Sequence, residues 1–587
     1  MKNIFNKLIY FLDVNDRKTV YKLFGLFVFV GIIEVLGVVS IMPFIGMITN
    51  PEYFGNNQYG IAIKNYLVID NHLLTILAGI LFILIFISCS FLNGFTLWKT
   101  TKFSAILGKK ISTNLFNHYL NQSYTFFANS DIASISKNLL QVSVSLSESI
   151  FIPILQIISR LIILILISIL LIKVNIQAFI FSIALLGIIY FTIFRNIKNK
   201  LKTFGEERLI ANDLLFKNTH DCFKSIKDVK FYEAENYYKT TFSSAQKNFL
   251  NLTAKHIIFS TIPRYIIEIV AFGSIFSIII YFQYIGVDLS QYTPTIALFI
   301  LAAYRLLPSA QQIFAFSSSI RFNLPALDLI YSDMQKNTKH NIQLNINDQD
   351  DDIIFNQVSF AYESSNNILN KITFNIKKSS INAIIGSTGI GKTTLIDLLL
   401  GFYNPANGDI SLSKRLYDTT SKKLKIGYVP QNVSYINESI IKNIAFGINN
   451  KDINNDRISK ILKEVLLFEH VNTMNDGVYS KLGENGVRLS GGQLQRIGIG
   501  RALYYNPEVL ILDEATNALD IETEKNLFNS LKINYPHLTI ICITHRLSTI
   551  QLCNNILYLK KDNMSALNIS TTKEDDSYIK EIIKKVK

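Results

Sequence analysis

Gly386-Ser387-Thr388-Gly389-Ile390-Gly391-Lys392-Thr393-Thr394 follows the short apolar run Ala383-Ile384-Ile385 and leads into a helix-compatible stretch. Strand, glycine-rich turn and helix opening in that order make a phosphate cradle. Its glycines let successive backbone N–H groups converge on phosphate oxygens, and the helix N-terminus adds partial positive charge. Lys392 is placed to reach the β and γ phosphates and the Thr393 hydroxyl to ligate Mg²⁺, so the loop residues 386–394 are the predicted nucleotide site.

The sequence around this loop supplies the rest of a phosphoryl-transfer site. Upstream, 353–360 and 372–376 read as strands, with Tyr362 between them as a candidate adenine-stacking ring. Downstream come Gln431 in G-Y-V-P-Q-N, then Leu489-Ser490-Gly491-Gly492-Gln493, then the apolar strand 509–512 ending in Asp513-Glu514. Asn517-Ala518-Leu519-Asp520 follows, and Thr544-His545 lies after the strand 539–543. Phosphoryl transfer needs an in-line water and neutralisation of charge more than covalent help. Asp513 is therefore expected to hold Mg²⁺ and Glu514 to act as the general base. His545 is expected to donate to the γ-phosphate and brace Glu514, and Gln431 to contact both Mg²⁺ and the lytic water.

The first half is of another kind. A chain of 587 residues with 49% hydrophobic residues and a mean hydropathy of +0.27 is too apolar for an ordinary soluble enzyme. Six apolar segments reach the roughly 20 residues that cross a bilayer, at 21–48, 73–97, 150–172, 176–194, 265–285 and 294–316. Such spans must be helical. The long gaps between the second and third and between the fourth and fifth are rich in Lys and Arg, whereas the outer gaps hold Lys64 and Lys173. By the positive-inside tendency the long gaps and both termini face the cytoplasm. The gaps keep helical patterning and read as paired arms projecting about 35 Å, with short docking helices at their tips near 119–130 and 221–230. A net charge of +14 does not signal nucleic acid, because the basic residues lie beside apolar runs rather than on one aromatic-laced face. Four scattered cysteines form no C-x-x-C pair and suggest neither disulfides nor zinc. The N-terminal lysines and short apolar run lack a small-residue cleavage site, so no removable signal peptide is read.

Glu34, Arg160, Arg264, Glu268 and Arg305 fall in or near the spans, where an ionisable group needs a partner or a wet cavity. Arg305 reads first as a cavity residue and second as half of an ion pair, and Arg264 as a cavity or snorkelling residue. Glu34 and Glu268 are assigned to pairing between helices. The expected layout is a membrane domain at 1–335, a linker at 336–352, an ATP-binding domain at 353–565 and a tail at 566–587.

These motifs resemble those of ATP-binding cassette proteins, and six spans followed by one cassette resemble the exporter type. The resemblance implies an α-helical membrane domain of type I exporter form followed by an α/β P-loop NTPase domain, with ATP and Mg²⁺ as cofactors. It also implies that Ser490, Gly491, Gly492 and Gln493 bind the nucleotide held by the opposite cassette, hence a homodimer with two competent sites. Asn517 stands where serine is commoner, with little effect expected, and Gly483-Glu484-Asn485-Gly486 resembles the loop that touches the membrane arms. In the membrane half, Pro263-Arg264-Tyr265-Ile266 with Glu268, the run 302–310 around Arg305, and Ile41-Met42-Pro43-Phe44-Ile45 after Glu34 resemble PglK-type flippases of lipid-linked oligosaccharides. The stretch 50–71 resembles their external helix. That likeness implies Arg264 and Arg305 as pyrophosphate contacts, while Cys89 or Ser90 and Gln312 stand where further cavity arginines are expected. The reading is a flippase moving a polyprenyl-pyrophosphate-linked oligosaccharide across the bacterial cytoplasmic membrane, with membrane lipids around it and the cassette in the cytoplasm. A general exporter of lipid A-like lipids or drugs is the nearest alternative, and an ATP-gated channel or regulator the alternative of another class.

Overall fold

The computed structural model describes residues 2–49, 71–174, 176–285, 293–336, 344–348, 350–362, 367–418, 423–483, 489–559 and 564–567. The chain divides into one unit of Met1–Gln122 and Phe126–Lys339 and a second of Ser123–Thr125 and His340–Lys587. The expected external helix at 50–71 lies almost wholly outside the described residues, as do 484–488 and the tail beyond 567.

The described residues of the first unit are helices joined by short turns. Long helices run over Asn71–Leu120, Ile176–Lys224, Glu235–Ile285 and Thr293–Gln335, so apolar spans and polar arms are single continuous rods. Among the described residues, Val14–Ile48, His72–Leu120, Ile132–Val174 and Ile296–Gln335 are long and apolar enough to cross a bilayer. The remaining two expected segments open Ile176–Lys224 and close Glu235–Ile285. Short helices Tyr124–Ala128 and Ile226–Phe231 sit where the tips were expected.

Two details depart from a simple span reading. The first span is not one helix: Val14–Val39 ends at Ser40, whose hydroxyl donates to the Gly37 carbonyl at 2.9 Å, and Ile41–Thr49 begins anew. The third is wound through two π-helical stretches, Asn138–Val142 and Ser147–Phe151. A π turn leaves carbonyls without their usual partner. Serines of the neighbouring helix supply donors, Ser104 to the Ser147 carbonyl at 2.7 Å and Ser112 to the Leu139 carbonyl at 3.1 Å. Lys137, 1% exposed, is paired with Asp213 on Ile176–Lys224, which removes the cost of a lone buried charge.

The described residues of the second unit form two large sheets and a two-stranded one, Tyr417–Asp418 with Lys423–Leu424. A four-stranded sheet runs in the order Asn345–Asn347, Asn407–Ser413, Asp351–Phe360, Leu369–Lys377. A six-stranded sheet runs Met564–Leu567, Asn555–Leu559, Ile381–Ile385, Thr539–Ile543, Val509–Asp513, Ile426–Val429. Residues within the expected linker at 336–352 also take part in this unit. Asn345–Asn347 pairs in parallel with Ser411–Ser413, and Asp352 is fully buried against Arg415 and Thr539. The unit has two large apolar centres beside a small cluster of Ala383, Ile385, Ile550 and Ile556. One gathers Leu395, Ile396, Leu398 and Leu399 of the helix after the phosphate loop against the strands, and the other gathers Ile497, Ile499 and Leu503 of Gly491–Tyr504 with Ile444, Ile458 and Ile461.

Candidate functional site

Strand order places the chemistry. Ile381–Ile385 pairs in parallel with Thr539–Ile543, which pairs in parallel with Val509–Asp513. Parallel neighbours end at one edge, so the phosphate loop, Asp513-Glu514 and Thr544-His545 emerge side by side, where open α/β sheets place their ligands.

The cradle itself is formed. Gly389 and Gly391 have φ of 80° and 105°, a region that costs an L-residue free energy. At Gly391 a Cβ would also lie 2.8 Å from Leu369 Cδ2 and 2.9 Å from Ile368 Cγ2. The Lys392 ammonium folds back into the loop, donating to the Gly386 carbonyl at 2.7 Å and the Ser387 carbonyl at 3.0 Å. Burial holds its pKa below that of a free lysine, against the attraction of Glu514 and Asp513.

At the neighbouring strand end, Asp513 is 6% exposed, with the Tyr428 hydroxyl 3.5 Å from Oδ2. Burial, then the like charge of Glu514, raises its pKa above the usual carboxylate range. A buried carboxylate beside a second negative charge is suited to a divalent cation, which would offset both the burial and the repulsion. Glu514 has φ of 52°, strained for a side chain of this type and typical of residues held for a task. Its Oε2 accepts from Gln431 Nε2 at 2.8 Å and from Asn517 Nδ2 at 3.1 Å. His545 Nε2 lies 3.7 Å from its other oxygen. Burial, then Lys392, lowers the His545 pKa, which favours the neutral ring at physiological pH. The arrangement can orient a water against Glu514 beside a cradled phosphate.

Not every expected residue joins this cluster. Tyr362 is packed by its ring against Phe360 (5.0 Å between centroids) and Tyr403 (5.2 Å), with its hydroxyl 3.2 Å from Thr394 Oγ1. Asp520, expected at the nucleotide, caps its own helix: Oδ1 accepts from the Thr523 amide at 2.8 Å, and that bond lowers its pKa. Ser490 and Gln493 form a capping box that fixes the start of Gly491–Tyr504, a helix of the other apolar centre. Asn517, from which little effect is expected, donates to the Glu514 carboxylate, and Arg546 is a contact that the motif reading passed over. Arg546 donates to the carbonyls of Thr516 at 3.1 Å and Leu519 at 2.7 Å, pinning the turn that carries Asn517. The only signal for Arg546 was its place next to His545 in the sequence.

In the membrane half, Arg305 is not free in a cavity. It pairs with Glu34 at 3.2 Å, lies 4.8 Å over the Phe86 ring, and has a side chain 17% exposed. Glu34, 3% exposed, also accepts from Asn93 at 2.6 Å, so its interhelical pairing is as expected. Glu268 pairs within its own helix with Arg264 at 2.9 Å and across to Gln311 at 3.2 Å. Arg264 lines a cleft of about 460 Å³ with Ser260, Thr261, Tyr304, Gln311 and Gln312, and its side chain is 56% exposed. The Arg160 Nε is buried with no hydrogen-bond partner among the described residues.

Comparison with known proteins agrees with this architecture. Residues 26–308 match the ABC transporter transmembrane region and residues 369–517 match the ABC transporter domain. The chain is 32% identical over 381 residues to an export ATP-binding/permease protein of Rickettsia felis, covering 62% of this chain and 64% of that one. It is 31% identical over 350 residues to the heterocyst differentiation ATP-binding protein HepA of a Nostoc strain, with 58% and 56% covered. An ATP-dependent lipid A-core flippase of Burkholderia pseudomallei is 37% identical over 214 residues, 35% of each chain. The matches thus span less than two thirds of these relatives. A bacterial Atm1-family ABC exporter solved with ATP bound has the same fold, with a TM-score of 0.76 over 95% of this chain and 98% of that one at 20% identity.

Proposed function

The chain belongs to the ABC transporter family, joining one transmembrane region to one ATP-binding domain, and from that premise we propose that it is an ATP-hydrolysing flippase for a phosphate-bearing lipid, working as a homodimer in the bacterial cytoplasmic membrane. Lys392 and the loop around it would bind the nucleotide phosphates. Thr393, Gln431 and Asp513 would hold Mg²⁺, which supplies charge neutralisation at the phosphates. Glu514 would accept the proton of the attacking water, with His545 fixing its second oxygen. Ser490 to Gln493 would serve the nucleotide of the second copy, as the resemblance to ATP-binding cassette proteins implies.

The observation that carries the cargo reading is the cleft around Arg264. A half-exposed guanidinium among hydroxyl and amide side chains, paired at 2.9 Å with Glu268 of the same cleft, would suit a phosphate or pyrophosphate whose lipid tail stays in the bilayer once the anion takes the place of Glu268. Arg305 would contribute only by exchanging Glu34 for the anion. A polyprenyl-pyrophosphate oligosaccharide fits this chemistry, and the named activity of the Burkholderia relative keeps a lipid A-like cargo beside it. The test is reconstitution in vesicles with each lipid, scoring ATP-dependent exposure in the far leaflet. Arg264→Ala should lose transport of phosphate-bearing lipids and keep basal ATP hydrolysis, with Glu514→Gln as the hydrolysis-dead control. Undiminished flipping by Arg264→Ala would remove the anion role.

A further inference from the structure

We propose that His470 is a positioning residue for the serine-glycine loop, holding Ser490 in the conformation in which its hydroxyl can donate to a phosphate; the inference rests on the reading that Ser490 to Gln493 serve the nucleotide of the second copy. The start of Gly491–Tyr504 is closed by a reciprocal pair of bonds. The backbone N–H of Gln493 donates to Ser490 Oγ at 3.3 Å, and the backbone N–H of Ser490 donates to Gln493 Oε1 at 2.8 Å. A hydroxyl that accepts from the backbone keeps its own proton to give to an anion. This box has a third member, because Gln493 Nε2 lies 2.9 Å from His470 Nε2. The Ser490 N–H can only donate, so it faces the oxygen of the Gln493 side chain and turns the amide nitrogen, a second donor, toward the ring. His470 must therefore accept through Nε2 and carry its proton on Nδ1.

The ring comes from a separate stretch of chain, the short helix Phe468–Asn472. Two other contacts hold that helix in place. Val471, 1% exposed, packs in the same apolar centre as Ile497 and Ile499. Arg496, one turn along from Gln493 and so on the same helix face, donates to the Leu466 carbonyl at 2.6 Å. Leu466 has φ of 58°, which fixes the turn that leads into the short helix. The fold here therefore does not need the exposed His470 side chain. What the ring adds is a second hold on Gln493. Without it the Gln493 side chain is kept, among the described residues, by the Ser490 N–H alone. A half-exposed amide held at one end exchanges its partner for water, and Ser490 then loses the acceptor that closes the box.

The experiment measures kcat/KM for ATP hydrolysis by the full-length protein in lipid vesicles for His470→Gln, His470→Leu and His470→Lys, beside Ser490→Arg. Glutamine sets a carbonyl oxygen near the place of Nε2 and still accepts, leucine neither accepts nor donates, and lysine can only donate. We expect the Gln variant to stay within about twofold of wild type and the Leu variant to fall about 3- to 10-fold, in line with one hydrogen bond. The Lys variant should fall at least as far. Melting midpoints of the detergent-solubilised variants should match wild type, since the change is confined to an exposed side chain. A wild-type rate in the Leu variant overturns the inference, as does a Gln variant as slow as the Leu variant, or a midpoint that falls together with the rate. If Ser490→Arg itself hydrolyses ATP at the wild-type rate, the reading of the serine-glycine loop is what fails.

Discussion

His256 shows how one side chain writes a pH dependence into the helical unit. Its ring stacks on Phe322 at 4.2 Å and 7°, its Nε2 is buried without a hydrogen-bond partner among the described residues, and the Arg208 guanidinium lies over the same Phe322 at 5.2 Å. Burial, then the cation, lowers its pKa from 6.5 to about 4. A proton is therefore taken up by the unfolded chain below pH 6.5 and refused by the fold until about pH 4. Stability from this residue is complete above pH 6.5 and is lost as pH falls toward 4. Between pH 7 and 5 the loss should be about 1–2 kcal/mol, read as a lower melting midpoint of the detergent-solubilised protein. His256→Phe keeps the ring stack and removes the titration, so its midpoint should change less over that interval. An equal pH response in both proteins would show that other groups carry it.

At the scale of elements, two helices meet where a glycine permits it. A Cβ on Gly205 would lie 1.9 Å from the Phe322 carbonyl oxygen, a backbone atom that cannot swing aside. Gly205→Ala must push Ile176–Lys224 away from Thr293–Gln335, at a cost of about 1–3 kcal/mol or more, seen as a lower melting midpoint and poorer yield. Gly94→Ala is the control, since nothing lies within 4 Å of its Cβ position. Contacts of this kind mark the limit of what the sequence could tell. Hydropathy and charge located the helices, because lipid imposes length and internal hydrogen bonding on any span. The strands around the phosphate loop were legible because they are short, apolar and bounded by motif residues. The break at Ser40, which turns on a local bond to the Gly37 carbonyl, was not, and neither were the π stretches and the strand Asn345–Asn347, which depend on partners far along the chain: Ser104 and Ser112 for the π turns, Ser411–Ser413 for the strand. At the site, Gly389, Lys392, Asp513, Glu514 and His545 were readable because phosphate chemistry dictates their types. The bond from Asn517 to Glu514 and the contacts of Arg546 were not, because they are made to other residues rather than to phosphate. The carboxylate partners of Arg264 and Arg305 were likewise settled only by packing, one within a helix and one across two.

For the whole molecule, the decisive question is whether one chain can complete a site. The phosphate-loop helix is packed in one apolar centre of the cassette and the helix begun by Ser490 in the other, and the proposed homodimer makes each site from one chain's Lys392 and the other's Ser490. Symmetry of that sort has a countable consequence. Lys392→Ala and Ser490→Arg should each abolish ATP hydrolysis in a uniform preparation, since every composite site then carries a defect. When the two variants are produced together, mixed dimers place both defects in one site and leave the other intact. Random pairing makes about half of the dimers mixed, so about a quarter of all sites should be whole. Hydrolysis should rise well above either parent, in proportion to the product of the two expression levels. If each chain instead used its own serine-glycine loop, every site in the mixture would remain defective, and activity would stay at the level of the single variants whatever their ratio.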